Sequence, residues 1–341
     1  MKIEKSVVGR LPMPYAVSSF VVDGAPCVVC ATEDHGPVLW IAPPYEQARE
    51  LVSGPGGCMS LVADPENPPD LFAIMGCFPG YQFREAGIYR LTRSASRSWS
   101  AFRVADLPFA HRMELVRQGT HRFLFAANLA QDKTSPQDWE RPGSLWVTDP
   151  SAGRGTWKLT PVMEGIHRNH GLLRCRLLGR DSLLLSGAEG LFSIDLESDG
   201  PWRSRRVLER EVSEIAVFDL DGDGVEELAT IEPFHGDRLR VYHRDGRTGS
   251  AWRAAAEAEL SFGHGMLATT LAGRRCLLVS NRSGSRDLVS FELRGSGELV
   301  PTVIDQGCAA ANLLALSTPG RDLLFATNQA AGEIARYVVS D

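Results

Sequence analysis

The chain has 341 residues and a formal net charge of −6 at pH 7, so it offers no excess of basic side chains for binding nucleic acid. No apolar run approaches the ~20 residues of a membrane span. The residues near the N-terminus include no continuous apolar segment, so we expect no secretory signal. The seven cysteines are odd in number and scattered, as in proteins with reduced thiols, so we expect a cytoplasmic protein without a membrane association.

One pattern recurs along the chain. An apolar strand is followed by a Gly/Pro/Asp turn, a more hydrophobic strand, a polar loop and a third strand. The spacing of roughly 40 to 60 residues is typical of propeller blades. The pattern therefore predicts an all-β fold, a seven-bladed β-propeller that forms a single domain over residues 1–341. The last unit lacks a fourth strand, which we expect the N-terminal residues 3–8 to supply, so that no sheet edge stays open. The units begin near Tyr15, Cys58, His111, His170, Glu214, His264 and Ala311.

An acidic turn lies between two apolar strands of the fifth unit, in the segment DLDGDGVEE. Asp219, Asp221, Asp223 and Glu227 occupy positions one, three, five and nine, and hard cations prefer several oxygen ligands around such a glycine-assisted turn. The spacing resembles the calcium loops of FG-GAP or VCBS-type propeller repeats, and this resemblance implies a further oxygen from the carbonyl of Val225. We expect this Ca²⁺ or Mg²⁺ site to be structural and not catalytic, because the first turn of a blade opens on the face opposite the channel mouth.

Three histidines occupy equivalent repeat positions. His111, His170 and His264 each lie at the entry to an innermost strand, and these entries converge on the central channel of a propeller. Imidazole nitrogens suit zinc or a similar divalent ion, with Mn, Ni and Mg as alternatives, and three protein ligands leave a position open for substrate. The sequence therefore predicts a catalytic metal site.

Other polar residues belong to the loops that open on the same face. They supply acid, base, phenol and ammonium groups, which together favour an enzyme. The sequence does not decide which of these groups acts as the base and which as the acid. The candidates for acid–base catalysis are His35, His235, Glu33, Asp34, Tyr81 and Lys133, and those for substrate binding are Arg112 and Asn169.

Several runs, LPMPYAVSSF, SGPGGCMSLVADP, CFPGYQ, LPFAHRMELV, DKTSPQDWERPG and NHGLL, resemble the propeller domain of aldos-2-ulose dehydratase, the 1,5-anhydro-D-fructose dehydratase. This resemblance implies a metal-dependent lyase, a dehydratase or hydratase, that acts on a keto-sugar or a 3-keto-glycoside by enolate-type β-elimination. The implied partner is a small carbohydrate substrate.

Two other functions stay open. A non-enzymatic, calcium-stabilised propeller would serve as an interaction platform, with metal only at the acidic loop. A glycoside hydrolase or polysaccharide lyase is the other, and a hydrolase would need two opposed carboxylates, for which Glu33 or Asp34 with Asp132 are candidates.

Overall fold

The computed structural model describes residues 2–80, 82–151, 153, 155–197, 202–244, 251–295, 297–318 and 320–340. Across these residues the chain forms seven four-stranded sheets and one short 3-10 helix, Gln329–Ala331. The chain is a seven-bladed β-propeller, and the predicted fold class is confirmed. No helix within the described ranges has the length and apolar character needed to cross a bilayer.

The chain divides into two compact units. The N-terminal unit comprises Ser6–Asn169 and Ala326–Ala335, and the C-terminal unit comprises Met1–Lys5, His170–Phe325 and Arg336–Asp341. The single domain over residues 1–341 stays a prediction.

Three sheets of the N-terminal unit each order their strands as in the sequence. The strands of the first are β2 (Pro14–Val22), β3 (Ala25–Thr32), β4 (Val38–Ile41) and β5 (Arg49–Val52). The second has β6 (Ser60–Ala63), β7 (Leu71–Met75), β8 (Gly87–Arg93) and β9 (Trp99–Asp106). The third has β10 (Ala110–Gln118), β11 (His121–Asn128), β12 (Gly143–Thr148) and β13 (Thr160–Ile166).

Three sheets of the C-terminal unit follow the same order. The first comprises β14 (Leu172–Leu177), β15 (Arg180–Gly187), β16 (Gly190–Asp195) and β17 (Arg203–Leu208). The second comprises β18 (Ile215–Phe218), β19 (Glu227–Glu232), β20 (Arg238–Arg244) and β21 (Trp252–Glu259). The third comprises β22 (Gly263–Leu271), β23 (Arg274–Asn281), β24 (Leu288–Arg294) and β25 (Glu298–Asp305).

The seventh sheet combines the two ends of the chain in the order β1-β28-β27-β26. The N-terminal strand thus lies at the edge of the sheet that the last three strands form. Its strands are β1 (Lys2–Arg10), β26 (Ala310–Thr318), β27 (Arg321–Asn328) and β28 (Glu333–Ser340).

Burial along a sheet explains the strand patterns. The second strand of a blade is covered on both faces, so β7 and β19 are buried at every position. Continuous apolar runs are typical of strands buried in this way. The outermost strand β17 is exposed over its first four residues and carries arginines there. Charged side chains on an outer strand keep that edge from pairing with another chain.

Candidate functional site

Three histidines from three sheets of the C-terminal unit lie together. His170 precedes β14, His235 lies in the turn between β19 and β20, and His264 is the second residue of β22. One ring nitrogen of each lies within 4.8 Å of the others, and the Nε2 atoms of His170 and His235 are 3.1 Å apart. His170 and His264 are each 1% exposed, whereas His235 is half-buried. We call these three residues the histidine cluster.

Neighbouring acceptors fix the orientation of two of the rings. Glu214 Oε1 lies 3.0 Å from Nδ1 of His170, and the carbonyl oxygen of Ala311 lies 3.0 Å from Nδ1 of His264. A carbonyl oxygen only accepts a hydrogen bond, so Nδ1 of His264 carries the proton and Nε2 carries the lone pair. An acceptor on the outer ring nitrogen is the usual arrangement behind a histidine that binds a metal.

The 3.1 Å contact within the cluster has a chemical consequence. The carboxylate of Glu214 favours the proton on Nδ1 of His170, which leaves a lone pair on Nε2. Nε2 of His235 therefore has to supply a proton to that contact, or both nitrogens have to share a cation. The donor set, three imidazoles with two acceptors behind them, fits a divalent ion of the zinc type.

A glycine follows each histidine of the cluster in the sequence, and two of these glycines permit close packing. A Cβ atom at Gly171 would lie 2.5 Å from the carbonyl oxygen of Ser213, and one at Gly265 would lie 2.9 Å from that of Ala311. Both values are below any normal contact distance. The His-Gly pair thus allows the next sheet to approach closely enough to place its acceptors behind the rings.

Two phenylalanines flank the third histidine. Phe234 stacks on His235 with ring centroids 4.0 Å apart, and Phe262 lies 4.8 Å away at an interplanar angle of 37°. His235 itself has a left-handed backbone, with φ of 48°. This turn conformation and the two rings hold the imidazole towards the other two histidines.

The predicted metal ligands are distributed between the two units. His170 and His264 lie in the histidine cluster, together with His235, which its loop position predicts to be an acid–base residue. His111 belongs to the N-terminal unit, where the hydroxyl of Tyr15 lies 3.2 Å from its Nε2 and both side chains are buried. The His-Gly dipeptide is present at His170, His235 and His264 and absent at His111, but it also occurs at His35, so it points to His235 without identifying the cluster.

Three predicted acid–base residues lie after β3, in the N-terminal unit. His35 is exposed and stacks on Phe78, with ring centroids 3.9 Å apart. Its backbone amide donates to Asp34 Oδ1 at 2.7 Å, and Glu33 accepts a hydrogen bond of 2.6 Å from the side-chain amide of Gln329. These contacts order the loop.

Lys133 packs into the long loop after β11. Its Nζ lies 3.0 Å from the ring centroid of Trp139 and donates to the carbonyl oxygen of Pro136 at 2.9 Å. Burial lowers the pKa of Lys133 to about 8. Lys133 also lines a pocket of about 380 Å³ together with Phe78 and Arg84. Tyr81, the remaining candidate, lies outside the described residues.

Asp132, the carboxylate considered for a hydrolase, binds two arginines. Arg84 Nε lies 2.8 Å from one of its oxygens and Arg141 Nη1 lies 3.0 Å from the other. The hydrogen bond from Arg84 lowers the pKa of Asp132. An ionised, doubly paired carboxylate of this kind is poorly suited to donate a proton.

The two predicted substrate-binding residues make contacts within the N-terminal unit. Arg112 Nη1 donates to the carbonyl oxygen of Met59 at 3.3 Å, and Asn169 Nδ2 donates to that of Ser144 at 3.2 Å. Asn169 is fully buried, and its Oδ1 has no hydrogen-bond partner among the described residues.

The acidic loop connects β18 and β19 as a tight turn. Asp219 accepts hydrogen bonds from the amides of Gly222 (2.8 Å) and Gly224 (3.2 Å), and Glu227 accepts one from the amide of Leu220 at 2.7 Å. One carboxylate oxygen from each of Asp219, Asp221 and Asp223 lies within 4.8 Å of the others. Val225 donates its amide to Asp223 at 2.7 Å.

Two further groups modify the charge of this loop. Arg275 pairs with Asp219 at 2.5 Å and offsets one negative charge. Burial raises the pKa of Glu227 to about 7, and the charge of Asp221 adds to that effect. His243, absent from the sequence prediction, lies with Nε2 3.9 Å from Glu227 and near enough to join Asp221 and Glu227 as a ligand.

Comparison with solved structures gives the fold but no family. The β-propeller domain of Myceliophteria thermophila Cps50 (Swd1) is similar at a TM-score of 0.65 and 14% identity, over 99% of this chain and 100% of that one. A protein named as a gluconolactonase is similar at a TM-score of 0.52 and 12% identity, over 99% of this chain and 92% of that one. A Bacteroides fragilis protein named as a 6-phosphogluconolactonase is similar at a TM-score of 0.55 and 11% identity, over 96% and 95%.

No protein-family model and no curated protein matches the chain. At identities of 11–14%, the similar structures support the propeller fold and leave the chemistry to be argued from the residues of the chain.

Proposed function

We propose that the protein is a divalent-metal-dependent lyase that eliminates water or an alcohol from a keto-sugar or a 3-keto-glycoside. The observation that carries this proposal is the convergence of His170, His235 and His264, with acceptors on the outer nitrogens of two of them. Three histidines with one open position are typical of a catalytic metal site. The resemblance of several sequence runs to aldos-2-ulose dehydratase supports the substrate class.

The residues of the chain have separate roles in this proposal. His170, His235 and His264 would hold the ion, and Glu214 and Ala311 keep two of the rings in the tautomer that binds. A divalent ion bound there would polarise the carbonyl oxygen of a keto-sugar and acidify the neighbouring C–H bond. The apolar ring of Phe234, which stacks on His235, limits the access of water to that imidazole.

The similar structures suggest a second chemistry, on a different kind of sugar derivative. Two of them are named as sugar lactonases, so hydrolysis of a sugar lactone is the activity to test against elimination. The two reactions have different products, because elimination from a 3-keto-glycoside gives a conjugated enone and lactone hydrolysis gives an acid.

The test uses the full-length protein and two variants, H170A and H264A. We expect about one zinc-type ion per chain by elemental analysis, with a hard cation at the acidic loop as a separate species. The wild-type protein should form an enone from a 3-keto-glucoside, measured by ultraviolet absorbance, and both variants should lose the ion and the activity by at least about 100-fold. Each variant should keep the wild-type far-ultraviolet circular dichroism spectrum.

H121A is the matched control, since His121 is an exposed histidine of β11. It should keep both the ion and the activity. Acid release from gluconolactone without enone formation would replace the lyase proposal by a hydrolase. Metal at the acidic loop alone, with the histidine cluster metal-free, would favour the interaction platform.

A further inference from the structure

Phe262 is unusual for its exposure. It is the one aromatic residue among the exposed large hydrophobic side chains of the described residues, at 41%. Its ring lies 4.8 Å from that of His235, so the exposed ring borders the histidine cluster. Single exposed apolar side chains are common on protein surfaces, so the position of this ring, beside a candidate metal ligand, is what points to a contact with a ligand of the same site.

The backbone holds this ring in place. Phe262 has φ of 59°, in the left-handed region, and its carbonyl oxygen accepts a hydrogen bond of 2.9 Å from Arg282. The next residue, Gly263, donates to the carbonyl oxygen of Gly236 at 2.8 Å, and Gly236 follows His235. The turn that carries Phe262 is thereby tied to the turn that carries His235, and the two rings keep a fixed relation.

The fold does not require a phenylalanine at this position. Ala309 occupies the corresponding place before β26, also with a positive φ (45°), and it is buried. The left-handed turn can thus be made by a small residue. What the phenylalanine adds is an exposed flat apolar surface at the edge of the cluster.

We propose that Phe262 is a stacking surface for the ring of a pyranose substrate, and that it selects cyclic over open-chain ketones; this inference rests on the proposed function. One face of a pyranose is lined by C–H groups and packs on an aromatic face, while its hydroxyl and carbonyl oxygens stay free for the cluster. The molecule that stacks on Phe262 is the substrate of the histidine cluster, because the Phe262 ring lies directly beside the ring of His235.

The experiment compares F262A, F262L and F262W with V303A in the metal-loaded protein. Val303 is an exposed apolar residue of β25, at 49%, and serves as the matched control. The substrates are a cyclic 3-keto-glucoside and the open-chain ketose erythrulose. F262A should raise KM for the cyclic ketone roughly five- to tenfold and leave kcat within about twofold, as expected for the loss of one aromatic stacking contact.

Three further results are expected if the ring stacks on substrate. F262W should keep the low KM, F262L should raise it as F262A does, and none of the three should change KM for erythrulose or the metal content. An unchanged KM in F262A, or an equal change in V303A, would overturn the inference. Loss of the ion from F262A would also overturn it, because Phe262 would then act by packing against His235.

A second readout does not depend on turnover. Saturation-transfer NMR with methyl β-D-glucopyranoside should show contact with the pyranose protons in the wild type and V303A, and none in F262A. Absence of a signal in the wild type would refute the stacking surface. If neither ketone is turned over while the NMR signal depends on Phe262, the lyase proposal fails and the ring subsite stands.

Discussion

The contact between Glu214 and His170 gives a sharp test of the histidine cluster. Glu214 Oε1 lies 3.0 Å from Nδ1 of His170, and the two side chains are 14% and 1% exposed. Solvent therefore screens this contact poorly. The substitution E214Q keeps an acceptor oxygen at nearly the same place but removes the negative charge that raises the basicity of Nε2.

The size of the effect follows from this geometry. Loss of a carboxylate behind a metal-binding histidine typically lowers metal affinity by 10- to 100-fold. This corresponds to about 1.4 to 2.7 kcal/mol of binding free energy. Because His170 is buried, we expect E214Q to lower zinc affinity about 30-fold. The assay is competition with a chromophoric chelator at constant pH, with the free energy of unfolding of the metal-free protein as a check on folding.

E209Q provides the control, since the Glu209 side chain is 86% exposed and its ion pair with Arg206 is long, at 3.9 Å. It removes one negative charge from the same unit without touching the cluster. Equal zinc affinity in E214Q and the wild type, or an equal loss in E209Q, would refute the role of Glu214 and with it the assigned tautomer of His170.

Two predictions concern the acidic loop. D221A should lower the melting temperature by a few degrees in excess calcium and abolish the calcium-dependent part of the stability, because a ligand that binds the native state stabilises it by mass action. Calorimetry with and without chelator measures this. Equal melting temperatures for the wild type with and without chelator would exclude a cation site. In the cation-free protein, burial raises the pKa of Glu227 to about 7. Between about pH 4.5 and 7 the native state therefore binds more protons than the unfolded chain, and the free energy of unfolding falls as the pH rises across that range. E227Q should reduce this fall by up to about 3 kcal/mol, measured by urea unfolding at several pH values in the presence of chelator. If the unfolding free energy of E227Q depends on pH as steeply as that of the wild type, the raised pKa of Glu227 is contradicted.

Local patterns were sufficient to predict the blades. Each predicted unit start lies close to an innermost strand, for example Tyr15 in β2 and Ala311 in β26. Alternating apolar residues and turn chemistry are properties of neighbouring residues, so the sequence carries them directly. The acidic loop is equally local, because one turn brings the carboxylates of Asp219, Asp221 and Asp223 together.

The histidine cluster depends on longer distances. Sequence position could show that His170 and His264 stand at strand entries, but it could not show which acceptor lies behind each ring. Glu214 and Ala311 come from the following sheets of the C-terminal unit, 44 and 47 residues away in the chain. The direction of an imidazole is set by its backbone and by the partner on its outer nitrogen, and both are products of packing.

The sequence by itself determined a seven-unit all-β chain, an acidic turn between β18 and β19, and a set of histidines at blade entries. Only the tertiary structure decided that His235 joins His170 and His264, and that Tyr15 is the partner of His111. The reason is physical: strand periodicity is encoded within a few residues, whereas a site assembled from separate sheets depends on side-chain directions that the packed sheets fix together.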